Sequence, residues 1–393
     1  MVKKINHLQL GQLVKLYYKK KDIKENKKIP LIIYGTFGVG KSTIIRDKSI
    51  EIAEERKREF VEWNKISREK KDEIFKNPQK YFVLIDIRLS EFDSSDVKGL
   101  PDFTSSNIMS EKGKREFEDS IEWKIPLWAK YLSLEESDGI LFFDEINLAS
   151  PLVISSTYKI IHDRVIGESM INENWLILSA GNKDEDRAYT HELASPVRDR
   201  AGEVELTEPS AESWTDWAID NGIDSRIIGF INWKPSNLHL VNFEDGQKFT
   251  TERGWARLNA LINGIDDYKG LELVSGTAIG EGVAREFVAF CKIKEAVRLE
   301  EIIKNPEILR TITEISIRYF VITALAEKYK DKKIDFSQVL KLSEVLDDMK
   351  CAEFVSLLWR LCVKYNPNRF RKDFTTKELN HPLRKKYHHY LVE

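Results

Sequence analysis

The residues Gly35-Thr36-Phe37-Gly38-Val39-Gly40-Lys41-Ser42 carry the clearest chemistry in the chain. They fit the P-loop spacing of Gly, four residues, Gly, Lys, then Ser or Thr. The glycines let backbone N–H groups turn inward around a phosphate chain. A helix starting behind the loop adds the positive end of its dipole. Lys41 would reach the β- and γ-phosphates, and Ser42 would bind Mg²⁺. Thr43 follows at the start of the helix and joins the nucleotide-binding set.

A second chemical group lies 103 residues after Lys41, where the apolar run Leu141-Phe142-Phe143 ends in Asp144 and Glu145. A carboxylate at the end of a neighbouring strand helps hold Mg²⁺ in P-loop enzymes, which suits Asp144. Glu145 is placed to polarise the water that attacks the γ-phosphate. A third run, Leu178-Ser179-Ala180-Gly181, ends in Asn182, which can touch that phosphate or orient the water. Asn182-Lys183-Asp184-Glu185 resembles a guanine-binding pattern but has Glu185 where Asp is required, so a GTPase reading fails.

These groups need strands to carry them. Leu31 to Tyr34 is an apolar run with Pro30 at its start, as a buried parallel strand tolerates. Residues 43–54 read as a helix. Further strands are expected at 81–87, 139–143, 175–179 and 204–206, with helical segments between them. Residues 4–20 read as an amphipathic helix, 19–28 as a basic, polar linker, and 51–80 as a charged, solvated helical stretch. From Ser210 onward helical patterns dominate. The expected class is α/β: a mainly parallel sheet flanked by helices, then a helical lid and a helical C-terminal region. The expected divisions are 1–29, 30–209, 210–304 and 305–393.

Composition narrows the partners. The 393 residues are 42% hydrophobic, enough for a sizeable core, and 32% charged with a net charge of −2. That balance gives no electrostatic case for general nucleic-acid binding. No apolar run approaches the ~20 residues that span a bilayer. Met1-Val-Lys-Lys-Ile has no apolar signal region, so a cytoplasmic protein is expected. Cys291, Cys351 and Cys362 are far apart and should pack as small apolar residues. The histidines show no zinc spacing, and His388-His389 reads as inert.

In order, these motifs resemble those of AAA+ ATPases, and the chain looks like the MoxR-type branch and its dynein-related relatives. The resemblance covers roughly residues 30 to 260. The branch is indicated by Ile85-Asp86-Ile87-Arg88-Leu89-Ser90, Asp96-Val97-Lys98-Gly99-Leu100-Pro101 and Asp144-Glu145-Ile146-Asn147-Leu148-Ala149. It implies a hexameric ring with ATP and Mg²⁺ between neighbouring subunits. Lys41 and Ser42 then match Walker A, Asp144 and Glu145 Walker B, and Asn182 sensor 1. Val197-Arg198-Asp199-Arg200 matches the turn of the arginine finger, with Arg200 favoured and Arg198 second. Ala201 stands where the family usually has an aromatic. Arg253, in Thr251-Glu252-Arg253-Gly254-Trp255, matches sensor 2, although Glu252 replaces the usual Pro. Gly99 to Phe103 would face substrate, with Phe103 as a grip. The implied activity is ATP hydrolysis that remodels a protein client, chaperone-like, often with a von Willebrand A domain partner. The alternatives are a nucleic-acid-translocating or nuclease-associated motor, and a nucleotide-dependent scaffold.

Overall fold

The computed structural model describes residues 2–22, 27–109, 115–183, 191, 193–241, 249–265, 267–376 and 381–387. His388-His389 and Asp184-Glu185 lie outside them. The chain forms two compact units, 1–208 and 209–393.

The first unit is built on one sheet. Its strands are β1 (Lys3–Ile5), β2 (Leu31–Tyr34), β3 (Glu59–Glu62), β4 (Tyr81–Arg88), β7 (Gly139–Asp144), β10 (Leu176–Gly181) and β11 (Gly202–Leu206). The order across the sheet is β1-β11-β2-β10-β7-β4-β3, and every pairing is parallel. Two small hairpins stand apart: β5 (Leu100–Met109) with β6 (Arg115–Lys124), and β8 (Val165–Ile166) with β9 (Ser169–Met170). The helices are α1 (His7–Lys19), α2 (Lys41–Glu55), α3 (Arg68–Lys76), α4 (Ser94–Lys98), α5 (Leu127–Leu132), α6 (Pro151–Asp163) and α7 (Ser195–Asp199).

The central parallel strands β2, β4, β7 and β10 are covered on both faces, so their sequences are largely apolar. Side-chain alternation sorts each strand between two cores. Ile33 of β2, Phe82 and Leu84 of β4, Ile140 and Phe142 of β7, and Leu178 of β10 pack on the side of α1 and α2. Ile32, Val83, Ile85, Leu141, Phe143 and Ile177 face the opposite core with Trp63, Tyr131 and Trp175. The same alternation aims Asp86 and Asp144 toward α2, since each follows the α2-facing positions of its strand.

Three sequence expectations are corrected. Residues 51–80 are not one helical stretch, because β3 and α3 both lie within them. Glu59-Phe60-Val61-Glu62 is an edge strand whose charged ends hid two apolar residues. The helix expected from residue 4 starts at His7, after β1, where Asn6 forms a capping box with Gln9. Lys28 is not a solvated linker residue: it is only 4% exposed. Its ammonium lies 3.4 Å from the centroid of the Tyr18 ring and donates to the Asn174 carbonyl. The Tyr18 hydroxyl donates to Asp138 at 2.7 Å, and Arg56 pairs with the same carboxylate at 3.1 Å. Burial pushes the Lys28 amine down to about 7, against the opposing pull of Asp138.

The second unit is helical, with helices between Ala211 and Tyr387. One core runs through it, from Trp214 and Trp255 to Trp359 and Tyr387, and includes Ile302 and Leu309. Residues on both sides of position 305 therefore share packing. The three cysteines are buried and free.

Candidate active site

The site assembles where β2, β10, β7 and β4 end at their carboxyl termini. In open parallel sheets this edge is where ligands bind. β2 delivers the loop 35–40, and α2 starts at Lys41. Gly40 is the N-cap of α2, and its φ of 89° is left-handed, a conformation that favours Gly. The loop therefore turns into the helix without a Cβ penalty, leaving the first N–H groups of α2 without intrahelical acceptors.

Lys41 is 8% exposed and curls back over the loop. Its ammonium donates to the carbonyls of Gly35 and Thr36, the latter at 3.1 Å, and lies 3.5 Å from the Asn182 Oδ1. Ser42 Oγ donates to Asp144 Oδ2 at 2.8 Å. Asp144 Oδ1 accepts the backbone N–H of Glu145 at 2.9 Å. Thr36 Oγ1 donates to Glu208 at 3.3 Å, and Thr43 is exposed on the first turn of α2. Gly35, Phe37, Gly38 and Val39 complete the loop.

Glu145 has a φ of 55°, left-handed for a residue with a side chain. Such strain persists only where its surroundings hold it. Its carboxylate accepts a 2.5 Å hydrogen bond from Ser90 Oγ and lies 3.9 Å from Arg88 Nε. Burial, and then the charge of Asp144, push the Asp86 carboxyl up to about 6.

Asn182 is fixed by Asn147. Asn147 Nδ2 donates to the Asn182 carbonyl at 2.8 Å, and the Asn182 N–H donates to Asn147 Oδ1 at 3.0 Å. A Cβ at Gly181 would come within 2.9 Å of the same Asn147 oxygen, so a larger residue there would have to displace that amide. This reciprocal pair ties the end of β10 to the turn after β7. Asn147 was visible in the sequence only as part of a motif. His7 was not visible at all: its Nε2 meets the Val39 carbonyl at 2.6 Å, bracing the loop from α1.

The two candidate fingers differ. Arg198 donates twice to Glu203, at 2.8 and 3.1 Å, while Arg200 is exposed and lies 3.4 Å from His162 Nδ1. Arg253 is exposed near the start of the helix Glu252–Leu261 in the second unit, beside the buried Glu252, which meets His239 at 2.9 Å. Phe103 lies in β5, but its side chain is outside the described residues.

The donor set can be tested against a metal. Among the described residues no group of three or more His, Cys, Asp or Glu could hold an ion. One hydroxyl and one carboxylate in contact suit an ion that keeps its waters and takes its other ligands from phosphate, as Mg²⁺ does. Ser42 and Asp144 fit that description. Among the described residues no helix is long and apolar enough to cross a membrane.

No protein-family model matches the chain, and no curated protein sequence matches it. Solved structures similar to it include a point mutant of Thermotoga maritima RuvB, at 15% identity and a TM-score of 0.35, covering 82% of this chain and 83% of that one. The Aeropyrum pernix ORC2 protein in ADPNP–ADP complexes is 12% identical with a TM-score of 0.34, covering 90% and 93%. C. elegans PCH-2 is 16% identical with a TM-score of 0.29, covering 72% and 67%.

Proposed function

We propose that this chain is a Mg²⁺-dependent ATPase of the AAA+ type, in its MoxR-like branch, working as a ring subunit that remodels a protein client. One observation carries the reading. Lys41, Ser42, Asp144, Glu145 and Asn182 come from three separated stretches of sequence and meet at the ends of adjacent parallel strands.

Each residue takes a role its chemistry allows. The loop N–H groups and the α2 N-terminus bind the phosphates, and Lys41 exchanges its carbonyl partners for β/γ-phosphate oxygens. Ser42 and Asp144 hold Mg²⁺, which supplies charge neutralisation at the phosphates when bound. Glu145 accepts a proton from the attacking water, and Asn182 orients that water or the γ-phosphate. Arg200 acts on a neighbour's nucleotide, because the Arg198 charge is already met by Glu203. Arg253 serves as sensor 2 in a lid of residues 210–304. A six-membered ring and a von Willebrand A domain partner belong to the same proposal.

The test is Glu145→Gln, which keeps size and hydrogen bonding but removes the base. ATP binding should stay near that of the unmodified protein, with hydrolysis at least ~100-fold slower. Unchanged turnover would sink the assignment.

A further inference from the structure

Arg198 and Arg200 stand two residues apart yet are held by opposite kinds of partner. Arg198 meets a carboxylate, Glu203, which cancels the charge an arginine finger must offer. Arg200 meets an imidazole. Its NH1 lies 3.4 Å from His162 Nδ1, and among the described residues it forms no ion pair. A neutral imidazole accepts one N–H and adds no charge, so the guanidinium keeps its cationic strength and its other donors.

We propose that His162 is the positioning residue for Arg200, orienting the guanidinium toward a neighbouring subunit's nucleotide and holding it only while the imidazole is uncharged. This rests on the reading of Arg200 as a finger. His162 lies half-buried in the last turn of α6. The charged groups facing it are Arg200 from the segment after α7, Asp163 on its own helix, and Lys27 before β2. The Lys27 ammonium donates to the His162 carbonyl at 3.2 Å. Burial lowers the imidazole's proton affinity, and Arg200 and Lys27 add to that against the opposing Asp163. The neutral ring, with its proton on Nε2, leaves Nδ1 free to accept from Arg200. Protonation turns Nδ1 into a donor facing a donor, with two positive charges in contact, and the hold is lost.

The experiment measures steady-state ATPase of the intact protein from pH 5 to 8. It compares the unmodified protein with His162→Ala, His162→Asn and Arg200→Ala. Asn places an amide oxygen near the Nδ1 position and does not titrate. His162→Ala should lower kcat roughly tenfold or more with little change in KM for ATP, the signature of lost orientation. His162→Asn should keep most of the activity and lose the acid limb that titration of His162 gives the unmodified protein. Isothermal titration with ATP verifies that each variant is folded. If His162→Ala matches the unmodified kcat and pH profile while Arg200→Ala is inactive, the inference fails and the finger stands. An unchanged acid limb in folded His162→Asn also overturns it. A fully active Arg200→Ala overturns the finger reading itself.

Discussion

Ser90 donates a 2.5 Å hydrogen bond to the Glu145 carboxylate, holding the proposed base from the neighbouring strand end. That hydrogen bond must be given up before the carboxylate can turn toward an attacking water. It also fixes the side chain on the β4 side of the site. Ser90→Ala should therefore raise basal ATP turnover by about fivefold, the scale of one net hydrogen bond of roughly 1 kcal/mol. ATP affinity should hardly move. Steady-state kinetics without any client would check this, and a fall in kcat would show that Ser90 assists Glu145.

The Asn147–Asn182 pair makes a second prediction. Asn147→Ala removes both hydrogen bonds that seat Asn182 and leaves its N–H without that acceptor. Turnover should fall roughly tenfold or more while ATP binding by the loop is retained, because misplacement acts on orientation. A thermal melt with and without ATP separates this from unfolding. Loss of kcat with retained nucleotide stabilisation is the expected pattern.

A third prediction concerns assembly. Arg200→Ala should bind ATP but hydrolyse it poorly. Lys41→Ala should bind poorly while keeping an intact Arg200. In a random equal mixture of a head-to-tail ring, about a quarter of interfaces combine an intact pocket with an intact finger. ATPase activity should reappear above the sum of the separate proteins. No recovery, with exchange verified by a labelled subunit, would count against action in trans.

The buried Lys28 predicts a pH dependence of stability. Its amine is held down at about 7 by burial, whereas an unfolded chain keeps a lysine near 10.4. Below pH 7 both states carry the proton and the burial penalty is fully present. As pH rises from 7 toward 10 the folded protein loses that proton first, so stability increases. Chemical denaturation of the unmodified protein against Lys28→Met should show the difference moving in favour of the unmodified protein. The change should be on the order of 3 kcal/mol over that window. A flat difference would mean that Tyr18, Asp138 and the Asn174 carbonyl retain the charged amine.

Much of the site could be read directly because its residues are short-range signals. The loop 35–42 carries its own strand and helix on either side, and β7 is an apolar run that ends abruptly in two acids. β1 and β3 were not legible for a different reason. Lys3-Lys4-Ile5 and Glu59-Phe60-Val61-Glu62 are short edge strands. Lys3, Lys4 and Glu59 are exposed, Glu62 pairs with Arg46 and Lys65, and only pairing with β11 or β4 makes these segments strands. The β5–β6 hairpin was hidden because its composition is polar. The partners of Ser90, Asn147, His7 and Arg200 were beyond reach in principle. Each depends on which strand ends lie side by side, a property of sheet order that spacing along the chain does not encode.

The sheet order also sets a timetable for synthesis. β2, which carries the phosphate-binding loop, lies between β10 and β11. Both of its neighbours are therefore made long after it leaves the ribosome. Until Leu206 has emerged, the strand has no complete pair of walls, and the loop has no fixed base on which to turn. At ordinary elongation rates the 172 residues from Tyr34 to Leu206 take about 9–34 s. During that interval, the apolar residues 31–33 are a sticky, unpaired segment, one that chaperones or the growing chain must shield. A nascent chain should thus acquire ATP affinity in a single late step, only once the last strand is in place.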